Sequence, residues 1–369
     1  MTAGMRSMAR IVGTLVLVLS GLLWATTAFP CTTFVLQGGG RIYFGRNLDW
    51  DWENGLVIVN PRNVNKSAIV APGHSPAKWT SKYGSVTFNQ FGRDKPFGGM
   101  NEVGLVVEQM MLFESQYPPA DLRPEIDMLQ WIQYQLDNCR TVADVIATDA
   151  KIRLEQPTVP ARIHYLVCDA RGDCATIEFL GGKMVCRQGQ NLPYRVLAND
   201  TYEQSVAFVR AHPAPEGISE GLKDPQSLSR FSCAATRVTR FRSVAPEQDR
   251  EYVFETLEQV RQGKATVWQI VYDVSGRQIH YRTRTNPQQR MVDLKVFDFS
   301  CSRPVQFVDI HTKPSATGAL EFQELSETRH RKYLEEFLGQ ESLKQAMGDL
   351  MPTIEKQLQT LRGYTCADR

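Results

Sequence analysis

The 369-residue sequence lacks a marked excess of either charge, and it contains no low-complexity segment and no internal repeat. Lysine and arginine number 42 against 40 aspartates and glutamates, so the formal net charge is only +2. Such a chain offers no extended electrostatic surface to a nucleic acid or to anionic lipid headgroups. We therefore expect no nucleic-acid partner and no stable membrane association of the mature protein.

The sequence also lacks the common metal-binding patterns. It has no CxxC, and its six histidines do not pair at zinc-ligand spacing, so we expect neither a metal nor another cofactor. The eight cysteines lie at positions 31, 139, 168, 174, 186, 233, 301 and 366. Cys168 and Cys174 flank the turn-like stretch DARGD, so a disulfide between them across two neighbouring strands is one alternative. Without Cys31 the count is odd, so at least one other thiol is free or intermolecular.

Only one long apolar run is present, from Ile11 to Trp24, and it follows a basic segment and precedes small residues ending at Ala28. This order is typical of a secretory signal peptide. The run is shorter than the about 20 residues that span a bilayer comfortably. An uncleaved anchor and a lipidated Cys31 are the alternatives. We expect removal of residues 1–30, with autoproteolysis trimming Phe29-Pro30, and a periplasmic or secreted product.

Strand and helix signals occur in blocks along the chain. CTTFVL and RIYFGRNLDW predict a hairpin across QGGG, and AIVAPG predicts a further strand. A helical stripe is predicted from Pro124, and Thr141 with Asp144 is spaced as a capping box. Blocks of this kind favour α+β layers over a βαβ sheet. We predict one domain over 31–320, followed by a charged helical tail over 321–369.

Cys31 stands at the head of the first predicted strand and directly after the predicted leader. As a freed N-terminal residue it would carry a thiol and an α-amine on one residue, with usual pKa values of about 8.5 and about 7.7 to 8.0. The amine could then take the thiol proton and later return it to a leaving amine. This arrangement predicts a nucleophile that needs no histidine.

The stretch CTTFVLQGGGRIYFGRNLDWDWENGLVIVNPR resembles the start of the choloylglycine hydrolase/penicillin V acylase family. GGMNEVGLVVE, RVLANDTYEQS and SRFSCAA are similar to further segments of that family, in the same order. The resemblance covers roughly Cys31 to Phe299. It implies an N-terminal-nucleophile hydrolase with a four-layer αββα fold, acting on linear non-peptide amides.

The resemblance also assigns roles to individual residues. It makes Cys31 the nucleophile and places Arg46 and Asp49, in an aromatic-Gly-Arg-Asn-x-Asp turn, as a pair beside it. In that pair the carboxylate would orient the α-amine and the guanidinium would favour thiolate. Asn199 matches an oxyanion-hole donor, and Arg230 matches an arginine close to the nucleophile.

Two positions depart from the pattern of the family. Met111 stands where many members carry a second oxyanion asparagine, so a backbone N–H could serve there. Cys233 replaces the second arginine found after Ser-Arg-Phe in many bile-salt hydrolases. We assign Met111, Trp50 and Trp52 to substrate binding. The neighbouring segments around Leu56 and around Met110 to Phe113 are predicted to line the same apolar pocket.

The resemblance implies an exported amidohydrolase that cleaves a small-molecule acyl amide through a thioester on Cys31. Penicillin V, conjugated bile salts and N-acyl homoserine lactones are all compatible substrate types. It also implies a homo-oligomer as a candidate assembly. An acyltransferase on the same fold, and a secreted binding protein with Cys31 in a disulfide, are the rival readings.

Overall fold

The computed structural model describes residues 31–157, 159, 161–212, 226–316 and 318–367. The predicted signal segment and the dipeptide Phe29-Pro30 that follows it, together residues 1–30, lie outside the described residues. Export and processing therefore stay predictions. In the described part of the chain, no helix is long and apolar enough to cross a membrane.

Six strands form the first large sheet, which we call the nucleophile sheet because Cys31 directly precedes one of its central strands. From edge to edge its strands are β14 (Val196–Leu197), β1 (Thr32–Gly38), β2 (Arg41–Asp49), β15 (Thr266–Asp273), β16 (Gln278–Thr283) and β17 (Arg290–Asp293). Every neighbouring pair is antiparallel. β1 and β2 are joined through Gly39 and Gly40, both at positive φ, which confirms the predicted hairpin with a glycine turn.

Nine strands form the second large sheet. In spatial order they are β13 (Lys183–Gln188), β12 (Cys174–Leu180), β11 (Ile163–Cys168), β8 (Val106–Met111), β7 (Pro96–Asn101), β6 (Ser85–Asn89), β3 (Leu56–Asn60), β18 (Gln306–Asp309) and β19 (Gln323–Glu324). Two small sheets pair β9 (Glu125–Ile126) with β10 (Arg153–Leu154), and β4 (Val64–Ser67) with β5 (Lys78–Thr80) and β20 (Thr365–Cys366).

Helices cover both large sheets. They are α1 (Met128–Asn138), α2 (Val142–Ala147), α3 (Tyr202–Ala211), α4 (Ser227–Arg240), α5 (Pro246–Gln259), α6 (Glu327–Leu338), α7 (Glu341–Met347) and α8 (Pro352–Arg362). α4 and α5 pack on β1, β2 and β15, whereas α1 packs on β7 and β8. β1 in turn contacts β11 across the interface between the sheets. The layer order is therefore helix, sheet, sheet, helix, which confirms the predicted αββα fold.

Burial explains the continuous apolar runs in the strands. The first five residues of β1 and all five of β3 are buried, because each sheet is covered on both faces. The capping box of Thr141 and Asp144 is present at the start of α2, as predicted.

Two local predictions are wrong. The helix predicted from Pro124 begins at Met128, because Glu125 and Ile126 pair with β10 and Asp127 caps the helix by accepting from the N–H of Leu129 and Gln130. The stretch AIVAPG is not a strand, since the N–H of its Ile69 donates to the side chain of Gln130 at 2.7 Å instead of to a ladder.

The C-terminal tail, residues 321–367 of the described chain, folds back on the body. β19 pairs with β18 where the tail begins, and β20 pairs with β4 where it ends. A disulfide between Cys301 and Cys366 joins that end to the body, and a second disulfide joins Cys168 to Cys174. The division at residue 320 stays a prediction, but the tail is fastened to the body at both of its ends.

Candidate active site

Cys31 lies immediately before β1 and is 2% exposed. Its thiol is free, and its Sγ lies 3.9 Å from the backbone oxygen of Asp49. Burial raises the pKa of the thiol above its usual value, although the positive charge of Arg46 acts in the opposite direction. The free thiol disfavours the binding-protein reading, which needs Cys31 in a disulfide. The raised pKa means that the thiol needs a base beside it to become a nucleophile.

Arg230, on α4, ties the start of β1 to the rest of the site. It is fully buried, and its Nη1 donates to the backbone oxygen of Cys31 at 2.7 Å and to the hydroxyl of Thr32. Its Nη2 donates to Oδ1 of Asn199 at 3.0 Å. One guanidinium therefore fixes two of the predicted catalytic residues relative to each other.

Asp49 ends β2 and is fully buried beside Cys31. Its Oδ1 accepts a hydrogen bond from the hydroxyl of Thr266, and its Oδ2 lies 3.9 Å from Nη1 of Arg230. Oδ2 has no hydrogen-bond partner among the described residues. Burial raises the pKa of this carboxyl to about 6, and the charge of Arg230 only partly offsets the effect.

Arg46 is buried in the middle of β2, not in a turn, and its charged partner is Glu108 of β8. Its Nε lies 3.5 Å from Oε2 of Glu108, and its Nη1 donates to the backbone oxygen of Gln109. The predicted turn is wrong, because Arg46 and Asp49 both lie in β2, where residues three apart point to opposite faces and Arg46 reaches the second sheet. Both arginine and aspartate still flank the Cys31 thiol electrostatically.

Glu108, the charged partner of Arg46, is a residue of this site that sequence reasoning missed. It is buried, it accepts a hydrogen bond from the hydroxyl of Tyr272, and burial raises its pKa to about 7. A Cβ on Gly98 would collide with its carboxyl group, so that glycine makes room for it. The motif GGMNEVGLVVE contains both residues, but nothing local in it shows that they meet.

Asn199 and Met111 lie next to each other at the edge of the site. The side-chain Nδ2 of Asn199 donates to the backbone oxygen of Met111 at 2.9 Å, while its Oδ1 accepts from Arg230. Its own N–H donates to the hydroxyl of Ser227 at 2.8 Å. The structure thus brings Cys31, Asp49 and Arg230 together with both predicted oxyanion positions.

The thiol of Cys31 faces a largely apolar cavity of about 130 Å³. Most of its walls are aliphatic, aromatic or methionine side chains: Leu48, Trp50, Phe91, Phe97, Met111, Met128, Leu129, Val159, Ala161, Ile163, Leu338, Met347 and Leu350. The polar wall residues are Lys95, Gln109, Asp127, Thr353 and Gln357. Lys95 and Asp127 form an ion pair with Nζ 3.8 Å from Oδ2.

The predicted substrate-binding residues divide into two groups. Trp50 and Met111 line the cavity, whereas Trp52 does not. Trp52 packs against Trp50 with ring centroids 5.3 Å apart, and its indole N–H donates to Ser342 of the tail at 3.0 Å. It therefore supports the wall from behind instead of forming it.

The other residues predicted to line the pocket are absent from its walls. Leu56, Met110 and Leu112 are buried elsewhere in the core, and Phe113 is 48% exposed. The physical reason for Met110 is the alternation of side chains along β8, which turns it towards Thr33 when Met111 faces the cavity.

A cluster of His74, Glu125 and Glu155 is the one group of described residues whose ligand atoms lie close enough to hold a metal ion. Glu125 already pairs with both His74 and Arg153. None of the three lines the cavity at Cys31.

Comparisons with known proteins identify the family. The model of the family described as linear amide C–N hydrolases, choloylglycine hydrolase family, matches residues 31–247, more than half of the chain. The chain is 27% identical over 326 residues to a penicillin V acylase of Pectobacterium atrosepticum, covering 75% of this chain and 84% of that protein.

Two solved structures share the fold. Penicillin V acylase from Agrobacterium tumefaciens superposes with a TM-score of 0.70 at 27% identity, over 80% of this chain and 98% of that one. A variant of conjugated bile acid hydrolase from Clostridium perfringens has a TM-score of 0.62 at 18% identity, over 80% and 100% of the two chains. The chain therefore belongs to the choloylglycine hydrolase family, as predicted, and is a hydrolase of C–N bonds in linear amides.

Proposed function

We propose that this linear amide hydrolase is exported, that residues 1–30 are removed, and that the thiol of Cys31 then acts as an N-terminal nucleophile. The observation that carries the proposal is the position of that thiol. It is free, it faces an apolar cavity, and it lies among three buried charged groups. The match to the family model also begins at Cys31.

The pairing of β1 with β2 supports a role for the α-amine. Thr32 lies opposite Asn47, so the backbone of Cys31 runs beside Leu48 and Asp49. The Oδ2 atom of Asp49 has no hydrogen-bond partner among the described residues. An α-ammonium released at Cys31 would supply both a donor and the opposite charge that a buried carboxylate requires.

The reaction follows from these positions. The α-amine takes the thiol proton, and the thiolate attacks the amide carbon, which forms a C–S bond and a tetrahedral oxyanion. The ammonium returns the proton to the leaving nitrogen, and the C–N bond breaks to give an amine and a thioester. Water, deprotonated by the same amine, then attacks the thioester, and the acid and the thiol are released.

Asn199 and Met111 are the proposed oxyanion donors. The N–H of Leu112 donates to the backbone oxygen of Arg162, which directly precedes β11. Because hydrogen-bonded and non-hydrogen-bonded pairs alternate along an antiparallel ladder, the N–H and C=O of the preceding residue, Met111, point away from β11. That carbonyl accepts from Nδ2 of Asn199, which shows that this backbone side faces Asn199. Each donor lost from such a site typically costs two to three orders of magnitude in kcat.

The cavity supports an aromatic or medium-chain acyl group. An engineered apolar cavity of about 150 Å³ holds benzene, and the cavity at Cys31 measures about 130 Å³. The phenyl ring of a phenoxyacetyl group, the acyl part of penicillin V, is of this size, and the relative from Pectobacterium atrosepticum is a penicillin V acylase. The ion pair of Lys95 with Asp127 supplies polar groups for the rest of the substrate, a feature that sequence reasoning missed.

The test uses the mature protein and amides of one amine with different acyl groups. We expect a mature chain that begins at Cys31 and cleaves the phenoxyacetyl or a medium-chain amide at least about tenfold faster than the acetyl amide, since each buried methylene contributes about 0.8 kcal/mol. Cys31→Ala should abolish turnover, while Cys139→Ala, which removes another buried free thiol, should retain it. Retained turnover in Cys31→Ala, or acetyl amides as the best substrates, would contradict the proposal. Adding a second amine and analysing the products separates hydrolysis from acyl transfer.

A further inference from the structure

The C-terminal tail forms one side of the cavity that contains the nucleophile. Leu338 at the end of α6, Met347 at the end of α7, and Leu350 after it all line that cavity together with Cys31. The region that matches the family model ends at residue 247. The tail therefore adds a wall that lies outside the matched region.

Polar contacts hold the tail in place. The Tyr364 hydroxyl donates to the backbone oxygen of Ser67 at 3.1 Å, and the Tyr364 ring lies over the charged groups of Lys66 and Arg93. The disulfide from Cys366 to Cys301 fastens the same end. These contacts fasten the tail to the body at its C-terminal end, beyond the three wall residues.

The tail also holds the loop that forms the adjoining wall. Gln357 donates to the backbone oxygens of Phe91 and Arg93 at 2.9 and 3.0 Å, and the N–H of Arg93 donates to Nε2 of His330 at 3.0 Å. Phe91 lines the cavity and packs edge-on against Phe337 of α6. Two walls of the cavity thus depend on the position of the tail.

We propose that the tail determines the acyl-length limit of this hydrolase, with Leu338, Met347 and Leu350 as the specificity-determining residues. The inference rests on the proposed function, in which the acyl group enters this cavity and reacts at Cys31. A longer acyl chain meets these side chains, so their size decides how many methylenes are buried. Each methylene that finds room adds about fourfold to kcat/KM.

The test compares Met347→Ala with Met351→Ala across a series of straight-chain N-acyl amides of one amine. Met351 is a half-buried methionine of the same tail that does not line the cavity, so it is a matched control. Removing Cγ, Sδ and Cε of Met347 should lengthen the best acyl chain by about two to three carbons, with about fourfold in kcat/KM for each. Leu350→Phe should shorten it, and Met351→Ala should leave it unchanged.

Unchanged preferences in both wall variants would overturn the proposal. An equal shift in Met351→Ala would also overturn it, because the cause would then be a general loosening of the tail. Binding of the free carboxylic acids to Cys31→Ala, followed by the intrinsic tryptophan fluorescence to which Trp50 in the cavity wall contributes, gives a readout that needs no turnover. If no variant hydrolyses any amide but Met347→Ala changes which chain length of free acid binds best, the proposed nucleophile is wrong and the proposed role of the tail is supported. If amides are hydrolysed but the wall variants change neither the acyl-length preference in kcat/KM nor that in acid binding, only the proposal about the tail is wrong.

Discussion

Replacing Glu108 by glutamine should change how the free energy of unfolding depends on pH between about 4.5 and 8. Glu108 is buried between Arg46 and Tyr272, and burial raises its pKa from the usual 4.5 to about 7. Between these two values the native state keeps a proton that the unfolded state has lost. The free energy of unfolding contributed by this group is therefore fully present below pH 4.5 and declines as the pH rises to about 7.

The size of the effect follows from the same interval. At 1.36 kcal/mol per pH unit, the range from 4.5 to about 7 corresponds to about 3 kcal/mol. Glutamine does not ionise and resembles the protonated acid in shape. The stability of Glu108→Gln relative to the wild type should thus rise by about 3 kcal/mol between pH 4.5 and pH 8, even though the variant removes the ion pair with Arg46.

Urea unfolding of both proteins at half-unit steps of pH measures this difference directly. Glu355→Gln is a control of opposite sign, because Arg331 lowers the pKa of that exposed carboxyl. Tyr272→Phe should raise the upper end of this pH range, because it removes a hydrogen bond that stabilises the charged form of Glu108. A difference between wild type and Glu108→Gln that stays flat from pH 4.5 to pH 8 would refute the reasoning.

Three further outcomes are expected. Asn199→Ala should lower kcat by roughly two to three orders of magnitude with an unchanged circular-dichroism spectrum, as the loss of one oxyanion donor does; kinetics within about twofold of wild type would contradict its role. The rate should fall as the pH drops below about 6, because Asp49 then takes up a proton and loses the charge that orients the amine, and the α-ammonium at Cys31 moves this limb further towards acid; a pH–rate profile with the same acid limb in the residual activity of Asp49→Asn would assign it to another group. Cys366→Ser should raise KM for medium-chain amides more than for acetyl amides, because the tail loses its disulfide; an equal effect in Cys174→Ser, which opens the other disulfide, would point to general destabilisation.

The features predicted correctly from sequence are mostly local. The hairpin of β1 and β2 follows from alternation and from the glycines at 39 and 40, and the capping box from the spacing of Thr141 and Asp144. The family resemblance added the αββα layers, because ordered motifs carry information that no single window holds. The positions of Cys31 and Arg230 at one site come from the same source.

The wrong or missing predictions concern contacts between distant segments. Arg46 pairs with Glu108, and Trp52 bonds to Ser342, across separations of 62 and 290 residues. A strand pattern predicts which side chains share a face, but not which partner the opposite sheet brings. The tail was predicted only as a charged helical segment, because apolar positions such as Leu338 and Leu350 are equally compatible with packing on a sheet or on a neighbouring molecule.

The path of the tail determines when in biosynthesis the cavity is complete. The wall residues of α6 to α8 follow Cys31 by more than 300 residues, so they are translated long after it. On the proposed export route, a chain that crosses the membrane from its N-terminus exposes the thiol early and receives the proposed acyl-selecting wall late. The disulfide between Cys301 and Cys366 can form only after both residues have reached an oxidising compartment. Proteolytic loss of the chain from about residue 330 onward would leave the charged cluster around the thiol in place and remove the wall, so such trimming would broaden the substrate range before it abolished turnover.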